Sequence, residues 1–318
     1  MNQFFYAHIG KSFRSKKDSD LINFDSDNAK IEIEYKKTDR EGKIKLDIID
    51  KKIFFVNDVK QNKISDILGK INVVIFTPDD IDIIKDGPQR RRKFLDMMIS
   101  SIRPNYVHLL NNYNKTLEQR NNYLRQIKLD NKDIELLDIW DEQLAKESYK
   151  IYEYRNEFIN KISNNIEDFH NLITKSGKET IKIKYISSSK SEEDIINNLK
   201  KSREIDINRG YTAVGIHRDD FIIYLDSKPI SVFGSQGQQR TVVLTLKLCE
   251  HQIIKDEIGE EPVLLLDDFM SELDEKRRKN FLENIKDCQV IITCTDEINI
   301  NTDCTKFFVE NGKCTKQN

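Results

Sequence analysis

The sequence predicts an α/β protein: a mixed to parallel sheet flanked by helices, with a helical lobe inserted between its two halves. Three observations carry that reading. Short apolar runs at Asn72-Val-Val-Ile-Phe76, Val263-Leu-Leu-Leu266 and Gln289-Val-Ile-Ile-Thr293 have the length and composition of buried strands. Late in the chain such runs alternate with helix-length segments, which is the pattern of a parallel sheet. Between the two halves, residues 104 to 175 place apolar side chains at helical spacing.

The elements follow in order. Lys30-Ile-Glu-Ile-Glu-Tyr35, Lys43-Ile-Lys-Leu-Asp-Ile-Ile49 and Ile53-Phe-Phe-Val56 alternate or cluster as strands, with Asp39-Arg-Glu-Gly42 as the turn between the first two. After the strand at 72–76, Thr77-Pro-Asp-Asp80 reads as a helix start: a capping residue, a proline at the first helical position and acids in the first turn. Gly87-Pro88 ends that helix and begins another, Gln89–Asp96. One helical stripe uses Leu110, Tyr113, Leu117, Leu124 and Ile127; a second uses Leu137, Trp140, Leu144, Ile151, Phe158 and Ile162. With a turn at Leu129–Lys132 they form an antiparallel hairpin. Residues 181–230 return to strands, at Ile181–Tyr185 and Phe221–Leu225, with a turn at Asp226–Pro229. Helices are expected from Thr241 to Glu257 and from Asp274 to Ile285, and Phe307–Gly312 closes the chain with a turn.

Composition narrows the function classes. A chain of 318 residues, 38% hydrophobic and 33% charged, holds one large domain or two ordinary ones. No apolar run approaches the roughly 18 residues of a membrane helix, and no secretory leader is recognisable, so a cytoplasmic protein without a membrane partner is expected. The net charge of −2 means that any contact with nucleic acid needs a local basic patch. The five cysteines form no CxxC pair, and the five histidines are scattered, so neither a zinc site nor disulfides are expected.

Two late segments carry the chemistry. Val263–Leu266 is an apolar strand closed by Asp267 and Asp268. The first carboxylate can hold Mg²⁺, which prefers hard oxygen ligands, and the second can orient or deprotonate an attacking water. Phe233-Gly-Ser-Gln-Gly-Gln-Gln-Arg240 is a glycine-centred polar loop opening a helix. The hydroxyl of Ser235, the backbone amides around Gln236, Gly237 and Gln238, and the positive end of the helix suit a phosphate. Together the segments resemble an ATPase of the ABC type. That resemblance makes the loop the signature motif, which completes the opposite subunit's site, and makes Ser271-Glu-Leu-Asp274 the D-loop, with Asp274 toward the nucleotide. Cys294-Thr-Asp296 follows a core strand, where such ATPases place a γ-phosphate sensor; Thr295 and Asp296 are the candidates. No Gly-x-x-x-x-Gly-Lys-Ser/Thr run occurs in the sequence. Gly10-Lys11-Ser12 has only the ending of one, with Phe5 where the first glycine belongs.

Arg90-Arg91-Arg92-Lys93 places four cations at a helix start, where the dipole disfavours them. DNA phosphate contacts and a salt-bridged face are both open readings. His217-Arg-Asp-Asp220 is either a coupling element or a structural loop.

An ordered set of segments is similar to the bacterial RecF DNA replication and repair family over nearly the whole chain. They are Gly10–Arg14, Phe76–Asp80, Gly87–Arg92, Trp140–Leu144, His217–Asp220, Phe233–Thr241 and Leu265–Asp274. The resemblance implies an ABC-type P-loop ATPase head carrying a helical lobe. It divides the chain into residues 1–95 and 206–318 for the head and 96–205 for the lobe. It implies ATP and Mg²⁺ as cofactors, weak DNA-dependent ATPase activity and an ATP-dependent homodimer. It also implies binding to single-stranded, gapped or junction DNA, recruitment of the mediators RecO and RecR, and a place in the SOS response. Two departures stand out. Ile216 occupies a position where the family usually has proline, so a looser turn is expected. The family's first strand, P-loop and most of its first helix have no counterpart, a strand–loop–helix unit of roughly 30–40 residues. Met1–Gly10 then reads as the end of that helix. Without the P-loop the chain alone is expected to be inactive, and the strand at 289–293 is expected to have an open edge. The alternatives are an ATPase-dead interaction protein or another ABC-type ATPase, such as a transporter subunit. The helical lobe and His217–Asp220 argue against the transporter.

Overall fold

The computed structural model describes residues 2–10, 17–49, 51–63, 66–130, 133–175, 177–268, 273–283, 285, 288–295, 304–310 and 312–317. Helix α1 (Asn2–Ile9) precedes four strands, β1 (Ala29–Lys36), β2 (Glu41–Ile48), β3 (Lys52–Val56) and β4 (Val59–Gln61), paired in that order as an antiparallel meander. The period-two pattern of β2 buries Ile44, Leu46 and Ile48 on one face. Leu46 and Ile48 pack with Phe54 and with Tyr6 of α1. The first turn is tighter than expected: Glu41 and Gly42 already belong to β2, opposite Lys36 and Tyr35.

The second sheet is parallel, in the order β10 (Val290–Thr293), β9 (Val263–Asp267), β5 (Val73–Phe76). All four residues of β5 are buried, which explains its unbroken apolar run. Among the described residues β10 is an outer strand, with Val290, Ile291 and Ile292 half-buried. After β5, Asp80 Oδ2 accepts a hydrogen bond from Thr77 N at 2.7 Å and starts a short 3₁₀ turn at Pro78. Helix α2 (Asp82–Lys85) follows.

Four long helices build the lobe: α3 (Pro88–Ile102), α4 (Pro104–Asp130), α5 (Leu137–Thr174) and α6 (Glu192–Arg209). Tyr123, Leu124 and Ile127 near the end of α4 cluster with Leu137 at the start of α5, so the two helices form the expected antiparallel hairpin. Helix α6 was not expected. Ser191 caps it, its side chain accepting from Asp194 N. The strands around it, β6 (Ile181–Ile186), β7 (Asp220–Leu225) and β8 (Lys228–Pro229), form an antiparallel sheet. Then come α7 (Ile230–Phe233), α8 (Gln236–Ile258), α9 (Glu275–Glu283) and the hairpin β11 (Lys306–Glu310)–β12 (Lys313–Gln317).

The divisions expected at 95/96 and 205/206 fall inside α3 and α6. One apolar core joins head and lobe. It contains Val74 and Phe76 of β5, Phe94 and Leu95 of α3, Ile151 and Phe158 of α5 and Leu244 and Leu248 of α8. Each fully buried side chain of this kind contributes roughly 1.5–3 kcal/mol. Helix α5 therefore joins lobe and head across one continuous packed interface. Among the described residues no helix is long and apolar enough to cross a membrane.

Candidate functional site

Helix α8 begins five residues earlier than the Thr241 expected, because Ser235 and Gln238 cap it reciprocally. Ser235 Oγ accepts from Gln238 N at 3.3 Å, and Gln238 Oε1 accepts from Ser235 N at 3.0 Å. The glycine-centred loop is thus itself the first turn of the helix. Its free amides and the positive end of the helix dipole face outward there. Two glycines in this loop differ in kind. A Cβ at Gly234 would clash with the Ile230 side chain and meet Ile230 O at 2.7 Å, so the chain's own packing requires glycine. A Cβ at Gly237 would meet only Arg277 Nη1, at 3.8 Å. Gly237 has ordinary helical geometry, so neither backbone nor neighbours account for it, although glycine costs a helix about 1 kcal/mol relative to alanine.

Beside this turn lies a cleft of about 360 Å³, lined in part by Thr174, Lys178, Glu179, Asp274, Lys276 and Arg277. Glu179 Oε1 accepts from Gln238 Nε2 at 2.8 Å. Asp274 begins α9, its Oδ1 accepting from Arg277 N at 2.9 Å. That amide, with the Arg277 guanidinium, holds the Asp274 carboxyl below its usual range. Gln238, through Glu179, and Gly237, beside Arg277, thus adjoin the cleft that Asp274 lines.

A second group sits at the end of β9. Asp267 is buried and accepts from Thr293 Oγ1 at 2.8 Å, Thr293 being its register partner on β10. Asp268 N donates to Thr293 O at 3.1 Å, and its φ of 51° bends the chain as it leaves the strand. This left-handed backbone is one that aspartate tolerates better than most residues. Thr293 was missed by the sequence reading; Thr295, the candidate named there, lies exposed just past β10. Asp267 and the Thr293 hydroxyl supply hard oxygens, which fits Mg²⁺. That ion is usually held by one or two carboxylates together with waters and phosphate. Among the described residues no group of three or more His, Cys, Asp or Glu side chains converges on a metal position.

The basic run turns largely inward. Arg91 forks onto Asp220 at 2.6 and 2.9 Å and donates to the carbonyls of Ile83 and Asp86. Arg92 Nη1 donates to Asp219 O at 2.7 Å. Arg90 faces Asp82 and Asp86 from an exposed position, and Lys93 is also engaged within the chain. Of the two open readings, these contacts match the salt-bridged face for Arg91, and Arg91 and Arg92 together hold residues 219–220. The partner loop is equally satisfied. His217 Nε2 donates to Thr212 O at 3.1 Å, which leaves Nδ1 to accept from the Tyr113 hydroxyl at 2.6 Å. Burial, with Arg218 and Arg92 nearby, pushes His217 down to about 4. Tyr185 donates to Asp219 Oδ2 at 2.7 Å.

No protein-family model matches the chain. Whole-chain comparison is decisive. The chain is 42% identical over 323 residues to the DNA replication and repair protein RecF of Clostridium acetobutylicum, covering 98% of this chain and 88% of that protein. The chain belongs to the RecF family. RecF of Clostridium tetani is 41% identical over 99% of this chain and 89% of its own length. A solved structure named as the recombination mediator protein RecF with ATP in the RecFOR pathway superposes with a TM-score of 0.91 at 38% identity, covering all of this chain and 87% of that one. The Smc head domain of Pyrococcus furiosus, 16% identical with a TM-score of 0.55 over 99% of this chain and 85% of that one, shares the fold. The α/β ATPase-head architecture expected from the sequence is thus the one observed.

Within this RecF-family chain, Ile216 does not loosen its turn. It is buried in a 3₁₀ turn, and its carbonyl accepts from Arg155 Nη1 at 2.8 Å. Arg155 itself forks onto Asp96 at 2.9 and 2.9 Å, tying α5, α3 and this turn together. Lys11, Ser12, Asn131, Lys132, Ser271, Glu272 and Asp296 lie outside the described residues.

Proposed function

We propose that this chain carries the signature turn and strand-end carboxylates of an ATP-gated DNA repair factor of the RecF type, and the experiments below use it joined to the P-loop unit of a RecF relative. Two copies pair across ATP, with the first turn of α8 from one copy facing the strand-end carboxylates of the other. The observation that carries this is Gly237. The turn keeps an open surface at a helix N-terminus, with a glycine that nothing inside the chain calls for. Such a surface suits a phosphate approaching the backbone from outside. The ATP complex of the 38%-identical RecF supports the choice of nucleotide.

The residues divide the work. Ser235 and the amides of Gln236 and Gly237 bind phosphate oxygens of the partner copy's nucleotide, the Gln238 amide holds Ser235 in place through the cap, and Asp274 lines the neighbouring cleft. Asp267, oriented by Thr293, holds the Mg²⁺, which neutralises phosphate charge when bound. Asp268 accepts a proton from the attacking water. Thr295 stands two residues past the end of β10, the strand that carries the Thr293 contact. The paired heads grip single-stranded, gapped or junction DNA and present it to the mediators RecO and RecR in the response to DNA damage. Of the basic run, Arg90 keeps an exposed guanidinium toward that DNA; Lys93 is the second candidate.

Sedimentation of the protein with and without ATP, and with gapped DNA, tests the reading. ATP is expected to shift the protein from monomer to dimer and to tighten DNA binding. Ser235→Arg should abolish pairing because its side chain fills the phosphate position. A wild-type protein that stays monomeric at saturating ATP and Mg²⁺, with DNA present, contradicts the proposal.

A further inference from the structure

The first turn of α8 is wired into the lobe through a run of hydrogen-bonded side chains that leads from Gln238 to His170. Gln238 Nε2 donates to Glu179 Oε1 at 2.8 Å. Glu179 Oε2 faces His170 Nε2 at 3.2 Å; a carboxylate only accepts, so that nitrogen carries the proton. His170 is buried on α5, and its Nδ1 lies 3.3 Å from Thr245 Oγ1. Thr245 Oγ1 donates to Thr241 O at 2.9 Å, and Thr241 Oγ1 donates to Gly237 O at 2.8 Å. With its one hydroxyl hydrogen spent on Thr241 O, Thr245 meets His170 Nδ1 as a close approach, and its own bonds lead back to the residue beside Gln238. Glu179 is itself anchored by its neighbour: Thr180 N donates to Asp226 Oδ1 at 2.9 Å, and Asp226 N to Thr180 O at 2.8 Å.

From this geometry we infer that Glu179 is a positioning residue for the nucleotide-binding turn of α8. It holds the Gln238 side chain so that the Ser235–Gln238 cap presents its amides in one arrangement, and through His170 it ties that arrangement to helix α5. The inference rests on the proposed ATP-gated pairing and deepens it. Gln238 is the pivot: its Oε1 caps Ser235 N while its Nε2 reaches Glu179. Releasing one end of that carboxamide lets the other wander, and the cap loosens at the point where phosphate is to be met. The side chain of Glu179 is about a quarter exposed, so its replacement leaves the apolar core untouched.

Two substitutions separate positioning from charge. Glu179→Ala removes both the charge and the acceptor. Glu179→Gln removes the charge but keeps an oxygen for Gln238, while its amide can donate to His170 in the other tautomer. In ATP titrations of self-association, Glu179→Ala is expected to raise the half-maximal ATP concentration about tenfold, the scale of one hydrogen bond to a charged group. Glu179→Gln is expected to stay near wild type. Amide hydrogen exchange at residues 235–239 without nucleotide should quicken in Glu179→Ala and recover in Glu179→Gln. Equal ATP dependence in wild type and Glu179→Ala overturns the inference and leaves ATP-gated pairing standing. A Glu179→Gln protein as impaired as Glu179→Ala also overturns it, since charge rather than positioning then decides. A wild-type protein that does not pair with ATP overturns the underlying reading and this inference with it.

Discussion

Arg91 on α3 closes a two-pronged ion pair on Asp220 at the start of β7, 129 residues later, at 2.6 and 2.9 Å. Both side chains are mostly buried, and Arg91 also binds two carbonyls of the preceding turn. Arg91→Ala leaves the Asp220 carboxylate half-buried without its guanidinium. The expected loss is roughly 2–3 kcal/mol of unfolding free energy, below the figure for a fully buried pair because solvent screens part of it. The salt dependence of DNA binding should keep its slope, since four of the five Arg91 N–H donors are spent within the chain and its charge is paired with Asp220. Urea denaturation measures the first quantity, and anisotropy titrations over a salt series the second. A slope reduced by about one phosphate contact would return Arg91 to the DNA interface.

The lobe carries a harder version of the same arrangement. Arg120 on α4 is fully buried, with Asp141 at 2.6 Å, Asp206 at 2.8 Å and Thr212 at 2.8 Å. Asp141 retains Arg203 if Arg120 is lost, but Asp206 is left with only the Ser202 hydroxyl and the Ala213 amide. Arg120→Ala is expected to destabilise the protein by roughly 3–5 kcal/mol. Arg120→Lys should rescue little, because an ammonium cannot fork between two carboxylates. Equilibrium unfolding of both variants checks this, and full rescue by lysine sinks it.

These two networks show where sequence reading stops. The period-two pattern of β1 and β2, the apolar runs of β5 and of β9 up to Leu266 and the Thr77-Pro78 start were legible because local chemistry dictates them. Helix α6 was not. Its buried face is Ile195, Leu199, Ser202 and Asp206, half of it polar, so no apolar stripe marks it. Asp206 faces inward only because Arg120 waits there. Likewise the cations at 90–93 were visible but their counter-charges were not, since folding alone brings residues 219–220 beside them. At the strand end, Asp267 and Asp268 were legible, whereas Thr293 is set by the β9–β10 register. At the signature turn the residues were legible, but the cap that makes the loop part of α8 was read as loop.

His8 supplies a pH dependence. It is buried on α1, Nδ1 donating to Ile71 O at 2.9 Å, and burial, with Lys247 nearby, pushes it down to about 4 despite that carbonyl. Unfolded, it titrates near 6.5. Between these values the unfolded chain binds the extra proton, so this histidine's contribution is full above about 6.5 and falls away as pH drops toward 4. The loss is roughly 3 kcal/mol over that window. His8→Asn keeps a donor for Ile71 O but cannot titrate. Its stability should therefore fall less steeply with acid, by up to about 1.4 kcal/mol per pH unit. Urea midpoints measured from pH 4 to 7 make the comparison, in which carboxylates common to both proteins cancel. Parallel curves would contradict a buried neutral His8.

Gly234 and Gly237 give a test in which stability and function move apart. Gly234 is held by Ile230, so Gly234→Ala should destabilise the start of α8 and weaken everything that depends on it. At Gly237 the backbone is helical and a methyl group meets nothing closer than Arg277 at 3.8 Å. Gly237→Ala is therefore expected to stabilise the free protein, by up to about 1 kcal/mol, because alanine loses less conformational freedom in a helix. The same methyl stands on the surface where a partner copy's phosphate is to approach, so ATP-driven dimerisation should weaken even as the melting temperature rises. Thermal melts and sedimentation with ATP, run on the same variant, read the two effects. If Gly237→Ala is stabilised and pairs as well as wild type, then nothing approaches this turn closely and the glycine serves no interface. If it is destabilised, then the helix start has a local need for glycine that its surroundings do not show. Only the combination of higher stability with weaker pairing matches a space kept for a ligand from outside the chain.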